Sequence, residues 1–176
     1  MNVSKLLSNR IRNIKTNPFI VDLKNQNLFL HSKIKDKKIL VIGGAGTIGS
    51  SYIQQILKYK PSKVTIVDVN ENGLTELTRD LRSSNLLDYK PEYITYPVNL
   101  LSTTFDKIFK SDTWDVISNF SAHKHVRSEK DKISVEALIK NNVFGAIKLL
   151  NLCEQNPPNY FFSVSTDKAA NPVNIM

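Results

Sequence analysis

Residues 38–50 read Lys-Ile-Leu-Val-Ile-Gly-Gly-Ala-Gly-Thr-Ile-Gly-Ser, and this stretch decides the fold. Its apolar, largely β-branched run at 39–42 predicts a short buried strand that ends at the glycines. Beyond them, apolar and aromatic residues recur at helical spacing as far as Pro61 (Ile48, Tyr52, Ile56 and Tyr59). A buried strand that leads through glycines directly into a helix is typical of a parallel α/β unit.

The remainder of the chain repeats this alternation. Four more strands are predicted, at 64–67, 93–98, 115–118 and 160–164. Helices are predicted between them, around 74–81, around 105–109 and, as one long helix, over 135–153. We therefore predict a doubly wound α/β fold with a parallel sheet in the order 3-2-1-4-5, incomplete after strand five.

Charge separates an N-terminal arm, residues 1–37, from the folded domain, residues 38–176. Residues 1–38 carry nine Lys or Arg and two Asp, which is +7 of the net +8. The other residues are almost neutral, so we expect no nucleic-acid partner. The arm fits either a solvated extension with short helical pieces or a weak contact with an anionic lipid surface.

Composition narrows the class of protein further. No apolar run approaches the roughly 18 residues of a membrane span, and residues 1–12 lack the pattern of a secretory signal. The single cysteine, Cys153, excludes an internal disulfide and fits a reducing compartment. We expect a cytoplasmic protein, and no His/Cys/Asp pattern predicts a metal site.

The glycine stretch predicts a phosphate-binding loop. Gly44, Gly46 and Gly49 form a G-x-G-x-x-G pattern between the predicted strand and helix, which is the context that gives the motif its meaning. Glycine there permits a tight turn, close approach of a pyrophosphate and close packing of helix on strand. The helix N-terminus adds free N–H groups and a partial positive charge. The alternative is a tight turn that binds nothing.

Asp68 ends the second strand, nineteen residues after Gly49. A carboxylate there can accept both ribose hydroxyls of an adenosine and would repel a 2′-phosphate. No arginine follows directly, so NAD is favoured over NADP. The alternative is an exposed acid at a strand end.

Two later stretches resemble one branch of the extended short-chain dehydrogenases/reductases. Residues 121–126, Ser-Ala-His-Lys-His-Val, resemble the A-A-x-K-H-V stretch of the CapD-like polysaccharide-biosynthesis branch. Residues 165–176, Ser-Thr-Asp-Lys-Ala-Ala-Asn-Pro-Val-Asn-Ile-Met, resemble its S-T-D-K-A-x-x-P-x-N-x-[YM] signature. The resemblance spans about residues 38–176 and implies a Rossmann-like domain of a nucleotide-sugar 4,6-dehydratase, chiefly acting on UDP-N-acetylglucosamine.

The resemblance also assigns site residues. Lys124 and His125 are expected at the sugar. Asn142 is expected to brace strand four; the alternative is that it satisfies nearby backbone. The residues expected around NAD are Gly43, Gly44, Gly46, Thr47, Ile48, Gly49, Asp68, Asn99, Leu100, Ser121, Ala122, Asn142 and Ser165.

The implied reaction removes a hydride from sugar C4 to NAD, eliminates water across C5 and C6, and returns the hydride to C6. Asp167 would protonate the departing 6-hydroxyl, and Lys168 would take the C5 proton. Thr166 would bond the C4 oxygen. Mutual charge stabilisation suits an Asp-Lys pair to acid/base work, although such a pair is also common on surface loops.

Met176 occupies the position at which most extended members have a catalytic tyrosine. A thioether transfers no proton, so this residue is either the non-ionising variant of that position or core filler. The family's ribose-holding lysine and sugar-binding half would follow Met176. We therefore expect the 176 residues alone to be an inactive fragment, and the full-length protein to be an active homo-oligomer.

Two other functions remain open. A nucleotide-sugar 4-epimerase or reductase could use the same scaffold, although most of these enzymes keep the tyrosine and need no Asp-Lys pair. A non-catalytic NAD-binding module is the alternative from a different class, and the end of the chain at Met176 favours it.

Overall fold

The structure is a computed structural model that describes residues 18–123 and 131–166. Its contacts divide the chain into two compact units, Met1–Lys33 and Ile34–Met176, which are described separately. The first unit contains helix α1, Pro18–Asn25, and most of helix α2, Asn27–Ile34, so short helical pieces do occur in the arm.

The second unit alternates strands with helices as predicted. In chain order its elements are β1 Lys38–Ile42, α3 Thr47–Leu57, β2 Lys63–Asp68, α4 Glu71–Ser83, β3 Glu92–Pro97, α5 Thr103–Lys110, β4 Val116–Asn119, α6 Lys132–Ile139, a π-helical turn Lys140–Phe144, α7 Gly145–Gln155 and β5 Tyr160–Ser163. All neighbouring strands are parallel, in the order β3-β2-β1-β4-β5. The predicted fold and strand order are confirmed, with strand ends displaced by one residue or fewer.

The central position of β1 in the sheet explains why residues 39–42 are all apolar. Helices cover both faces of a parallel sheet, so both sets of alternating side chains are buried. Ile39 and Val41 pack with residues of α3 and α4, whereas Leu40 and Ile42 pack with residues of α5 and α7. These four residues are at most 2% exposed.

The register brings the polar ends of three strands to one edge of the sheet: Asp68 of β2, Asn119 of β4 and Ser163 of β5. Ile42 at the end of β1 pairs with Val67 of β2 and with Asn119 of β4. Asn119 in turn pairs with Ser163 at the end of β5. The carboxyl edge of the sheet is therefore polar above an apolar core, which is where open α/β sheets bind ligands.

The long helix predicted over 135–153 is present as an uninterrupted helical run, Lys132–Gln155, but it is not α-helical throughout. The π-helical turn Lys140–Phe144 separates α6 from α7, and its wider turn shifts the helix face that follows. Leu138 and Leu149 are buried, but Leu150, which regular α-helical spacing would place on the same apolar face, is 51% exposed.

Candidate functional site

A cleft of about 610 Å³ lies at the carboxyl edge of the sheet. The glycine loop after β1 forms one side, and the segments after β4 and β5 form the other. Ten of the sequence-predicted site residues line it: Gly43, Gly46, Thr47, Ile48, Gly49, Ser121, Ala122, Asn142, Ser165 and Thr166. Ile48, which the helical pattern placed on the apolar face of α3, is instead 57% exposed.

Gly43 joins the two sides of the cleft. Its φ of +76° lies in the left-handed region, and its N–H donates to the carbonyl of Val67 at 2.8 Å. A Cβ at this position would lie 2.5 Å from the Ser121 nitrogen. The backbone of the loop therefore lies directly against the chain that follows β4.

Gly46 shows that the loop suits a bound group. A Cβ at Gly46 would meet nothing closer than the Gly43 carbonyl at 3.5 Å, and its φ of −73° is open to any residue. The protein fold itself therefore does not require glycine here. Because Gly46 lines the cleft and is the N-cap of α3, its missing side chain leaves space beside the first N–H groups of that helix. This arrangement fits the pyrophosphate of a dinucleotide.

Asp68 is fixed against the glycine loop. One of its carboxylate oxygens accepts the Ala45 N–H at 2.9 Å, and the other accepts the Asn70 N–H at 2.9 Å. A carboxylate has about four lone-pair sites, so each oxygen retains capacity for a further donor. The carboxylate is thus oriented by the loop while still able to accept ribose hydroxyls.

Asn142, in the π-helical turn, braces the segment that follows β4. Its Oδ1 accepts the His123 N–H at 2.8 Å, and its Nδ2 donates to the His123 carbonyl at 3.0 Å. Such π-helical turns are frequent at functional sites. Both hydrogen bonds reach the backbone of His123, which lies four residues beyond the end of β4.

The sequence interpretation missed two hydrogen-bonded pairs at the ends of β4 and β5: Asn119 with Ser163, and Ser118 with Tyr52 of α3. Asn119 and Ser163 both line the cleft and are hydrogen-bonded to each other. On the opposite face of the sheet the Ser118 hydroxyl donates to Tyr52 Oη at 3.0 Å, and burial raises the pKa of Tyr52 although that hydrogen bond opposes the rise. The signal for this set was available, because Ser118 and Asn119 interrupt an apolar strand.

Other predicted residues lie away from the cleft lining. Gly44 lies under the loop, where a Cβ would approach Ile66 to 2.3 Å. Asn99 is exposed and its Oδ1 accepts the Leu101 N–H, while the Leu100 side chain is buried in the core. The predictions for Lys124, His125, Asp167, Lys168 and Met176 fall outside the described residues.

Within residues 18–123 and 131–166, no three His, Cys, Asp or Glu side chains are grouped as metal ligands require. Nor does any helix of that part of the chain have the length and apolar character of a membrane span.

Residues 39–176 match the family described as polysaccharide biosynthesis protein. The chain belongs to this family. Its relatives include proteins named UDP-N-acetylglucosamine 4,6-dehydratase, dTDP-glucose 4,6-dehydratase and UDP-glucose 4-epimerase.

Two curated relatives illustrate the match. The chain is 32% identical over 142 residues to the uncharacterized membrane protein MJ1061 of Methanocaldococcus jannaschii, covering 81% of this chain and 40% of that protein. It is 30% identical over 140 residues to the UDP-N-acetylglucosamine 4,6-dehydratase (inverting) of Campylobacter jejuni, covering 79% and 39%. The chain thus spans about two-fifths of the length of these relatives.

The fold also matches solved structures. The enzyme WbmF of Bordetella bronchiseptica in complex with NAD+ and UDP aligns with a TM-score of 0.58 at 16% identity, covering 82% of this chain and 42% of that one. This likeness confirms the predicted Rossmann-like α/β fold. The prediction of NAD as the cofactor agrees with the NAD+ held by this neighbour.

Proposed function

We propose that this chain is the NAD-binding part of a nucleotide-sugar 4,6-dehydratase that acts on UDP-N-acetylglucosamine. One observation carries the proposal: the glycine loop and Thr166 line the same cleft. The fold therefore brings the Ser165-Thr166 start of the S-T-D-K signature to the place where a dinucleotide would lie.

The chain's own residues hold and orient the cofactor. The N–H groups at the start of α3 and the open space at Gly46 accept the pyrophosphate. Asp68 accepts the ribose hydroxyls of the adenosine and excludes a 2′-phosphate by charge repulsion. When bound, NAD supplies a hydride acceptor and donor.

The proton transfers fall to residues of the signature. By the family resemblance, Thr166 holds the C4 oxygen of the sugar, Asp167 gives a proton to the departing 6-hydroxyl oxygen, and Lys168 takes the proton from C5. Met176 transfers no proton because a thioether cannot ionise, so the proton of the C4 hydroxyl passes to Asp167, Lys168 or a water as the C4 hydride leaves.

The test has a binding arm and a chemical arm. In titrations the protein should bind NAD more tightly than NADP. The complete native protein should convert UDP-N-acetylglucosamine to a 4-keto-6-deoxy sugar, detected by NMR with exchange of the C5 proton in D2O. Asp167→Asn should lower turnover about a hundredfold or more without weakening NAD binding, Lys168→Met should suppress the C5 exchange, and Met176→Leu should be tolerated.

Three other results would refute the proposed residue roles or favour one of the alternative functions. Normal turnover of Asp167→Asn and Lys168→Met would refute the proposed roles. NAD binding without any reaction of the complete protein would favour the non-catalytic module, and interconversion at C4 without water loss would favour an epimerase.

Three further expectations about the complete protein belong to this proposal. We place it in the cytoplasm, in keeping with the single, free cysteine of these 176 residues, Cys153. We expect homo-oligomers, and we expect the basic arm either to be a solvated extension or to make a weak contact with anionic lipid.

A further inference from the structure

Asn119 is a buried polar residue at the last position of β4. Its side chain is 6% exposed, it pairs in register with Ser163 of β5, and both residues line the cleft. Buried amides are retained where they are hydrogen-bonded, so the partners of Asn119 define its role.

The orientation of the Asn119 amide follows from its neighbours. Its Oδ1 lies 3.1 Å from the Ser121 nitrogen and 2.7 Å from Ser121 Oγ. A backbone N–H can only donate, so the oxygen of the amide must face Ser121. The Nδ2 group consequently faces Ser163 Oγ, at 3.1 Å.

This orientation determines that the Ser163 hydroxyl accepts, and does not donate, in its hydrogen bond with Asn119. The amide Nδ2 can only donate, so Ser163 Oγ accepts from it and cannot spend its own proton on Asn119. No other hydrogen bond of Ser163 Oγ is formed with a described residue. The hydroxyl proton of Ser163 is thus available to an acceptor in the cleft.

The strand order determines which part of a dinucleotide reaches Ser163. Asp68 ends β2, the glycine loop follows β1, and Ser163 ends β5 on the far side of β4. A dinucleotide with its adenosine at Asp68 and its pyrophosphate at the loop must place its nicotinamide riboside over β4 and β5.

We propose that Ser163 is a cofactor-binding residue that donates a hydrogen bond to an oxygen of the nicotinamide riboside, and that Asn119 is the positioning residue that turns its proton into the cleft. The inference rests on the proposed binding of NAD. It adds to that function a hydrogen-bond donor, Ser163, and the residue that orients its proton, Asn119. Neither residue belongs to the sequence motifs described above.

The experiment compares NADH with ADP, which lacks the nicotinamide riboside. Both ligands are titrated into the wild-type protein and into Ser163→Ala. Loss of one neutral hydrogen bond should weaken NADH binding about fivefold and leave ADP binding unchanged.

Asn119→Asp tests the positioning role. Aspartate keeps an acceptor for Ser121, but its second oxygen would accept the Ser163 proton and draw it away from the cleft. NADH binding should fall as in Ser163→Ala, again without a change for ADP. The double variant should be no weaker than Asn119→Asp alone, because the same hydrogen bond is lost.

Asn159→Ala is the matched control. Its Nδ2 donates to Asp115 Oδ1 at 2.9 Å, which links the starts of β5 and β4 at the opposite edge of the sheet. It should lower Tm without altering the NADH-to-ADP affinity ratio. If Ser163→Ala keeps the wild-type ratio, the inference is overturned while NAD binding stands. If the wild-type protein binds neither ligand, the proposed function fails as well.

Discussion

The side-chain amide of Asn142 makes two hydrogen bonds to the backbone of His123, at 2.8 and 3.0 Å. These two hydrogen bonds hold the segment after β4, which forms one wall of the cleft, against the π-helical turn Lys140–Phe144. Asn142 and His123 are nineteen residues apart in the sequence. Asn142→Ala removes both bonds and frees that wall. We expect NAD binding to weaken by about 1–2 kcal/mol, measured by calorimetric titration, since each bond contributes about 1 kcal/mol.

Asn151→Ala is the control for this change, because it removes an exposed asparagine of α7. It should leave NAD affinity unchanged. An Asn142→Ala variant that loses stability but binds NAD normally would show that the brace serves the fold alone.

Gly46 and Gly49 should respond in opposite ways to replacement by alanine. A Cβ at Gly46 has open space and an ordinary φ, so Gly46→Ala should keep Tm within a few degrees or raise it slightly. The same methyl group would intrude on the phosphate site, and NAD affinity should fall at least tenfold. At Gly49 a Cβ would lie 2.4 Å from the Gly43 carbonyl, so Gly49→Ala should lower Tm.

Thermal unfolding and NAD titration of both variants check this prediction. Full NAD affinity in Gly46→Ala would mean that no phosphate approaches the loop at that residue.

The order and type of the elements were predictable because the signals are local. Residues 38–50 contain both the apolar run of β1, which indicates the fold, and the glycine loop, which indicates the cofactor site. The Asn142 brace came from family resemblance, and its partner, the backbone of His123, is set by the tertiary fold. The π-helical turn Lys140–Phe144 was missed because nothing in its periodicity distinguishes it from an α-helix.

The role of Asn119 was missed for a different reason. Its sequence position shows a polar residue in an apolar strand, but its partner Ser163 lies 44 residues away. Only the parallel register of β4 and β5 brings the two side chains together.

Asp112 should make the free energy of unfolding depend on pH in the acid range. It accepts from Lys38 Nζ at 2.7 Å and lies 3.0 Å from Lys63 Nζ. Partial burial opposes ionisation, but the bonds from the two lysines outweigh it and lower the pKa of the Asp112 carboxyl. A lowered pKa stabilises the fold above the unfolded-state value of about 4, and this contribution is lost as the pH falls through the folded-state value.

Asp112→Asn should therefore lower the free energy of unfolding by about 1 kcal/mol at pH 7 and by less at pH 3. Urea denaturation at both pH values measures the difference. Glu76→Gln is the control, because its ion pair with Arg79 is exposed on both sides and should contribute almost nothing. An equal effect of Asp112→Asn at both pH values would contradict an ionic role.

Asp68 should set the preference for NAD over NADP. Its carboxylate is fixed by the N–H groups of Ala45 and Asn70, at the strand end beside the glycine loop. Asp68→Ala removes the acceptor for the ribose hydroxyls and the charge that repels a 2′-phosphate, so the NAD-to-NADP affinity ratio should fall about tenfold or more. The ratio is the appropriate measurement because the variant also loses the bond to Ala45, which weakens both complexes alike. Glu71→Gln removes a neighbouring negative charge at the start of α4 without touching the loop, and it should change the ratio much less. If NADP bound the wild-type protein as tightly as NAD does, Asp68 would serve only to hold the loop.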